Sequence, residues 1–449
     1  MQGQLPWEKI RRLVVFGVAR SGLAAIELGL QKGLEVTAVN QGPLADWGSE
    51  LRARGVTCVP QEQASQVFAA ADLIILSPGI PLTHPALAQA AAKSVPVISE
   101  IEFAWQHASQ VPVIAITGTN GKTTTTTMIA EYLAALGLRV FCGGNIGVPY
   151  CDLPLRQLKG ELFDVAVIEV SSFQLETIRA FHPRVALMLN LTLNHSERYE
   201  GLEDYGRAKF NIARNMGPRD HLVWGEESGS WKTWVTEVRC QQESFSKMKL
   251  PATFLADFDF QQGLLVGEHN RANYYCAWRA AQLFAPAKAS VESFQRFIAS
   301  FKGVEHRLEF VGEWRGLKIY NDAKSTNAEA TATAIKAFDG TRPLLLVLGG
   351  KLRNESDRFL PELLPFAGKV TRVLSIGMTA ERLEQELSGS FAVTAVKDLA
   401  GVVAWVKQNA PKGDLVFSPG HPSFDQFKSY VDRGEKFKAI VRDQLLVAQ

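Results

Sequence analysis

Val113-Ile114-Ala115-Ile116, then Thr117-Gly118-Thr119-Asn120-Gly121-Lys122-Thr123-Thr124, then a helical run to about residue 136 form the stretch on which the fold turns. Four consecutive apolar residues read as a strand covered on both faces, the mark of a parallel sheet. The loop after it is rich in glycine and threonine and enters a helix directly. Glycines let the backbone approach phosphate oxygens, and successive N–H groups at a helix N-terminus point at the anion. Lys122 adds positive charge near the β- and γ-phosphates, and Thr123 offers a hydroxyl to Mg²⁺. The common phosphate loop has a further glycine five residues before Gly121; Ile116 stands there, so this is a shortened variant.

The same alternation extends both ways. Upstream, Leu13-Val14-Val15-Phe16 reads as a strand, and Gly17-Val18-Ala19-Arg20-Ser21-Gly22 as a turn into a helix with Leu23, Ile26 and Leu30 at helical spacing and Gly33 as its stop. Further strands are expected at 34–39 and 73–76. Downstream, Val165-Ala166-Val167-Ile168 and residues 185–189 read as buried strands, residues 228–259 as hairpins and loops, and residues 273–284 as a helix. A last block opens near Gly303, with strands expected at 317–320, 344–348, 370–376 and 415–417. Strands alternating with helices give an α/β chain. At about 150 residues per domain, a chain of 449 residues holds three, expected here at 1–108, 109–303 and 304–449.

Composition narrows the function. Lys and Arg number 48 against 46 Asp and Glu, so no broad basic field favours nucleic acid. No apolar run approaches the ~18–20 residues that span a membrane. The first residues lack the apolar core of a secretory signal, and the five cysteines are spread without a CxxC pair, so a reduced, cytoplasmic setting is expected.

Several residues carry candidate chemistry. Glu169 ends the strand 165–168, and carboxyl ends of strands in an open α/β sheet face the ligand crevice, so it is expected beside the phosphate loop as an oxygen ligand for a hard cation. In Tyr205-Gly206-Arg207-Ala208-Lys209-Phe210-Asn211-Ile212-Ala213, Lys209 falls on the apolar face with 205, 208, 212 and 213. Spacing leaves two readings: a lysine snorkelling at the helix edge, or a buried, neutral amine able to capture CO₂. His195 follows a strand as a metal ligand or a loop histidine. The Gly17-x-Ala19-x-x-Gly22 turn resembles a dinucleotide fingerprint, but the next strand ends Asn40-Gln41 where NAD needs a carboxylate for its ribose, so a phosphate such as that of a UDP group fits better. His306-Arg307 and Asn321-Asp322-Ala323-Lys324-Ser325-Thr326-Asn327 gather charge and hydroxyls at a third expected crevice.

Gly118 to Thr124, Glu169-Val170-Ser171-Ser172-Phe173-Gln174-Leu175-Glu176 and the 321–327 run together resemble the Mur ligases, the ATP-dependent amide-forming enzymes of peptidoglycan synthesis. Gly143-Gly144-Asn145-Ile146-Gly147 and Ser423-Phe424-Asp425-Gln426-Phe427 resemble the D-glutamate-adding branch. The resemblance implies a Rossmann-like UDP-binding N-terminal domain, a central P-loop ATPase-type domain and a Rossmann-like C-terminal domain that closes over ATP. It implies an amide formed between UDP-N-acetylmuramoyl-L-alanine and D-glutamate through an acyl phosphate, with ATP, two Mg²⁺ ions and a monomeric chain. ATP would meet Gly118, Thr119, Asn120, Gly121, Lys122, Thr123, Thr124, Asn270, Asn273, Arg307 and Asp322. Ser21, Gly22, Ser77, Pro78 and Gly79 would hold the UDP end, and Asn145 and Ser171 the muramoyl-alanine. Lys324, Thr326, Ser423, Phe424 and Tyr430 would receive D-glutamate. Lys122, His195 and Lys209 would be catalytic, with Thr123, Glu169, His195 and carbamylated Lys209 around the metals. The chain departs from the family at Asn194, where aspartate is usual, at Gly349-Gly350-Lys351-Leu352-Arg353-Asn354, where Lys351 or Arg353 would replace the usual lysine, and at Gly420-His421-Pro422, where small residues are usual.

Overall fold

A computed structural model describes residues 5–108, 110–192, 194–267, 269–352 and 358–447. Among the described residues three sheets follow one another along the chain. The first comprises β1 (Arg12–Phe16), β2 (Glu35–Asn40), β3 (Thr57–Pro60), β4 (Leu73–Leu76) and β5 (Val97–Ser99), in the order β3-β2-β1-β4-β5, all parallel. The second comprises β6 (Val113–Thr117), β7 (Val140–Gly144), β8 (Val165–Glu169), β9 (Val185–Met188), β10 (His221–Gly225) and β11 (Gln241–Phe245), in the order β11-β10-β9-β6-β8-β7, again parallel. The third comprises β12 (Glu309–Trp314), β13 (Leu317–Asn321), β14 (Leu344–Gly349), β15 (Val370–Ile376), β16 (Val393–Lys397) and β17 (Gly413–Gly420), in the order β12-β13-β17-β14-β15-β16. Only β12 runs antiparallel to its neighbour; the five other strands are parallel.

The chain forms two compact units. One is Met1–Asp257 with Asn273–Phe294 and holds the first two sheets; the other is Phe258–Ala272 with Gln295–Gln449 and holds the third. Within the first, β6 lies between β8 and β9, with every residue from Val113 to Thr117 buried. Removing an isoleucine such as Ile116 from water contributes ~1.5–3 kcal/mol. The interior position of β6 therefore follows from its unbroken apolar run. Its neighbours diverge on either side, which opens a crevice at the carboxyl ends where the phosphate-loop sequence emerges.

Residues 228–259 differ from the hairpins and loops that the sequence suggests. They form the helices Gly229–Trp234 and Ala252–Asp257 and the edge strand β11, which pairs in parallel with β10. These elements are short, and each is anchored by one or two buried aromatics: Trp231 and Trp234, Phe245, and Phe254. Phe245 is the only buried residue of β11, so no alternation marks it as a strand. In the helix Arg20–Gln31, Ile26 is buried while Leu23 faces solvent despite its helical spacing.

Candidate active site

β6 ends at Thr117 and the helix Lys122–Ala135 begins five residues later, with Gly121 as its N-cap at φ +83°. Only glycine adopts that conformation without strain. A Cβ there would also lie 2.9 Å from Asn273 Oδ1. The loop is held from the side by Asn190 at the end of β9. Its Oδ1 accepts the Asn120 N–H (2.9 Å), its Nδ2 donates to the Asn120 carbonyl (2.8 Å), and its own carbonyl accepts the Thr119 N–H (3.0 Å). Lys122 Nζ donates to the carbonyls of Gly118 and Thr119, both at 2.9 Å, which keeps the ammonium over the loop. Thr125 donates to Asn273 Oδ1 (3.2 Å), so the helix face under the loop and the expected nucleotide residue Asn273 meet. Asn270 is buried and its amide bonds the Val266 carbonyl at 2.6 Å.

Glu169 is where the chemistry converges. Its side chain is buried at the end of β8. One oxygen accepts from Thr123 Oγ1 (2.9 Å) and the other from Asn145 Nδ2 (2.8 Å). The phosphate-loop threonine and the asparagine of the Gly-Gly-Asn-Ile-Gly run are thus joined through one carboxylate. Ser171, two residues on, caps the helix Ser172–Leu175 in a reciprocal box with Gln174, so its hydroxyl serves the backbone.

Lys209 is 1% exposed, which excludes the snorkelling alternative. Its Nζ lies 4.4 Å from the centre of the Tyr205 ring. Burial and the positive charge of Lys122 push its pKa down to about 6, against the opposing pull of Glu169. His195 packs against the same tyrosine, its ring centre 5.8 Å from that of Tyr205 and 4.8 Å from that of Phe173. Its backbone is in the left-handed region at φ +58°, held there by the Asn194 Oδ1, which accepts the His195 N–H at 2.9 Å. Such conformations persist where surrounding contacts over-determine them. Its Nδ1 is 2.9 Å from Glu197.

The first-sheet turn brings its helix close against the end of β1. A Cβ on Gly22 would fall 1.9 Å from the Gly17 carbonyl oxygen, so only glycine lets the helix start this close. Ser77 donates to that carbonyl (2.9 Å), and Asn40, standing where a dinucleotide site wants an acid, accepts the Val18 N–H (3.3 Å). Ser21, Gly22 and the loop Ser77-Pro78-Gly79 therefore sit together at the ends of the adjacent strands β1 and β4.

In the second unit, Asp322 is buried and accepts from Ser325 (2.5 Å), Ser418 (2.7 Å) and the Leu308 N–H (3.3 Å); burial pushes its pKa up to about 6. Arg307 and Lys324 are exposed, Thr326 half-buried, Ser423 buried, and Phe424 and Tyr430 exposed. Lys351 is exposed with its N–H on the Pro422 carbonyl (2.8 Å), while Arg353 lies outside the described residues.

Comparison with known proteins adds the family. The N-terminal domain of the MurD-like Mur ligases matches residues 11–99, the Mur ligase middle domain residues 116–281, and the Mur ligase glutamate ligase domain residues 306–421. A UDP-N-acetylmuramoylalanine–D-glutamate ligase from Desulfatibacillum aliphaticivorans is 36% identical over 458 residues, covering 96% of this chain and 98% of that one. One of the same name from Geobacillus kaustophilus is 36% identical, covering 95% and 96%. The chain belongs to the Mur ligase family. Among solved structures, the MurF ligases from Thermotoga maritima and Acinetobacter baumannii align with TM-scores of 0.54 and 0.55 at 16% identity, covering 99% and 97% of this chain and 98% and 95% of theirs. At that identity they support the fold of this Mur ligase alone.

The donors at Glu169 fit a hard cation. Thr123 Oγ1 and Glu169 Oε2 are neutral and anionic oxygens 2.9 Å apart beside the phosphate loop. His195 makes no hydrogen bond to them among the described residues; its Nδ1 faces Glu197. Among the described residues the one group of three or more His, Cys and carboxylate side chains at cation-binding spacing is Glu305, His306 and Glu435. There the Lys438 ammonium is already 2.5 Å from Glu305 and 2.9 Å from Glu435. The sequence reading missed Asn190, Arg198 and Arg433. Arg198 pairs with Glu176 and donates to the Pro78 carbonyl (2.8 Å), tying the His195 loop of this Mur ligase to the expected UDP loop. Its signal, an arginine three residues after a candidate histidine, is no pattern on its own. Among the described residues, no helix is long and apolar enough to cross a membrane.

Proposed function

We propose that the chain uses ATP to join UDP-N-acetylmuramoyl-L-alanine to D-glutamate, releasing ADP and phosphate, in cytoplasmic peptidoglycan precursor synthesis and as a monomer. The observation that carries this reading is the Thr123–Glu169–Asn145 connection. One buried carboxylate links the hydroxyl proposed for the magnesium ion to the amide proposed for the muramoyl-alanine, which supports a site where that acid and ATP would meet.

A carboxylate alone is a poor acyl donor because oxide is a poor leaving group. In the proposed reaction an oxygen of the L-alanine carboxylate attacks the γ-phosphorus, the bond to ADP breaks, and an acyl phosphate results. The D-glutamate amine then attacks the acyl carbon and loses a proton, and phosphate leaves. The N–H groups of residues 118–124 hold the phosphates, and Lys122 offsets the charge that develops. Magnesium held by Thr123 and Glu169, with a second ion near His195 and Lys209, would supply positive charge opposite the transferring phosphoryl group. Lys209, largely neutral near pH 7, can add its lone pair to the carbon of CO₂ and release a proton to water, giving an anionic carbamate. His195 accepts the amine's proton. Ser21, Gly22 and Ser77-Pro78-Gly79 hold UDP, and Asn145 and Ser171 the muramoyl-alanine. Asn270 and Asn273 serve the adenine, Arg307 and Asp322 serve ATP, and Lys324, Thr326, Ser423, Phe424 and Tyr430 serve D-glutamate. We assign these roles to domains 1–108, 109–303 and 304–449.

Phosphate release tests the proposal. It should require ATP, UDP-muramoyl-alanine and D-glutamate together, and fall to background with L-glutamate, L-lysine or L-alanine. Release that ignores D-glutamate overturns it.

A further inference from the structure

The residues proposed to receive D-glutamate lie on loops after β13 and β17, and both loops are held by a side chain that has no place in the reaction so far. Arg433, on the helix Tyr430–Val441, is fully buried. One guanidinium nitrogen, Nη1, donates to the His421 carbonyl (2.8 Å), and the other, Nη2, to the Ala323 carbonyl (2.9 Å). His421 is two residues before Ser423, and Ala323 directly precedes Lys324. The loop after β14 reaches the same point. A Cβ on Gly350 would lie 3.2 Å from Nη1, and the next residue, Lys351, is bonded to Pro422. The strands β13, β17 and β14 are neighbours in that order, so one planar cation bonds the first two loops at their carboxyl ends and lies beside the third.

Burying a guanidinium is costly unless the geometry it fixes repays the desolvation. Burial draws the pKa of Arg433 down to about 10, and the charges of Asp425 and Asp322 oppose the shift, so it stays protonated near pH 7. Both its direct acceptors are main-chain carbonyls rather than carboxylates. It therefore acts as a spacer: two donors in a rigid fork set the distance between two backbones. Lysine has the charge but not the fork.

We propose that Arg433 is the positioning residue of the amino-acid subsite: without touching substrate, it sets the separation of the Lys324 and Ser423 loops and thereby the affinity for D-glutamate. This rests on reading those loops as the glutamate-receiving ones. The test compares wild type with Arg433→Lys and Arg433→Gln in two assays. The first omits the amino acid and supplies hydroxylamine, whose nitrogen attacks the acyl carbon of the acyl phosphate, displacing phosphate and leaving a hydroxamate. The second measures the KM for each substrate. Both variants should raise the KM for D-glutamate at least tenfold, while hydroxamate yield and the KM for ATP stay within about twofold. Equal increases in every KM, or a fall in kcat with the D-glutamate KM unchanged, would reject the positioning role. So would failure of both variants to fold, which would make Arg433 a determinant of the fold only. Wild-type enzyme that makes hydroxamate but ignores D-glutamate would instead sink the substrate reading beneath it.

Discussion

Among the described residues two lysines are buried, and their surroundings are opposite. Lys209 is buried against the Tyr205 ring, and burial, followed by the like charge of Lys122, draws its pKa down to about 6. Lys438 is equally enclosed, but its Nζ lies 2.5 Å from Glu305, 2.9 Å from Glu435 and 3.2 Å from Glu309. Burial pulls its pKa down too, yet the bonds to Glu305 and Glu435 and the charge of Glu309 outweigh that and raise it. The difference separates a lysine held near neutrality from one held charged: beside the first, a like charge stands and Glu169 does not offset its burial, while the second is surrounded by carboxylates. A lysine's reactivity is thus decided by what other elements bring to it.

Removing the two amines should break the molecule in different ways. Lys209→Met and Lys209→Arg should each lower kcat by about 10²–10³-fold, the scale of losing one electrostatic group at a phosphoryl-transfer site. Thermal stability of Lys209→Met should be unchanged or higher, since no unfavourable amine remains buried. Short carboxylic acids added to Lys209→Ala should restore part of the rate by standing in for the carbamate; a full wild-type rate without them would make the lysine structural. Lys438→Met should do the reverse. Three carboxylates would then face one another without a cation, at a cost of about 2–3 kcal/mol read from denaturant unfolding. That is less than for a fully enclosed pair because Glu305 and Glu435 are about half exposed.

The same contrast shows how far the sequence could be read. The phosphate loop, Glu169 and the three blocks of alternating strands were legible because each is local: an apolar run, a glycine pattern, a strand end. The spacing of Tyr205, Ala208, Lys209 and Ile212 put Lys209 on an apolar face, but whether it snorkelled or stayed inside depended on Tyr205 and Lys122, four and 87 positions away. Asn190, Arg198 and Arg433 act on backbone carbonyls and amides of distant loops, and no motif records a bond to a main chain. Residues 228–259 were illegible for another reason: their short elements are each anchored by one or two aromatics, which leaves no period to detect.

A pair of buried acids extends the comparison to the opposite charge. Glu102 accepts three backbone N–H groups, from Arg179, Ala180 and Phe181, at 2.9–3.0 Å. Glu100, two residues away, accepts the Cys151 N–H, while its other oxygen has no hydrogen-bond partner among the described residues. Burial pushes its pKa up to about 7, and the nearby Asp152 adds to the rise. A carboxyl whose folded pKa is raised favours folding while protonated. The stability it contributes is present below about pH 4.5 and is lost as the pH rises to about 7. That difference sets a ceiling of ~3 kcal/mol, and relaxation around the new charge brings the expected loss to about 1–2 kcal/mol. Glu100→Gln should flatten this part of the stability profile and exceed wild type at pH 8. An unchanged slope between pH 4.5 and 7 would show that Glu100 stays ionised.

The smallest expected effect is at Asn194, where the Mur ligases usually carry aspartate. The structural task there is to accept the His195 N–H and hold the left-handed turn, and a carboxylate oxygen can do that as an amide oxygen does. Asn194→Asp should therefore leave the loop intact and add only a negative charge near His195. That charge favours protonated imidazole, which slows its use as a proton acceptor and strengthens its use as a proton donor. Because the site is on an exposed loop, solvent screens the added charge, and kcat should change by no more than about threefold. The informative readout is the acid limb of the pH–rate profile, which should move to higher pH if His195 accepts the amine's proton. A rate change at every pH without movement of that limb would place the charge's influence on phosphate or metal binding instead, and would remove His195 from the proton transfer.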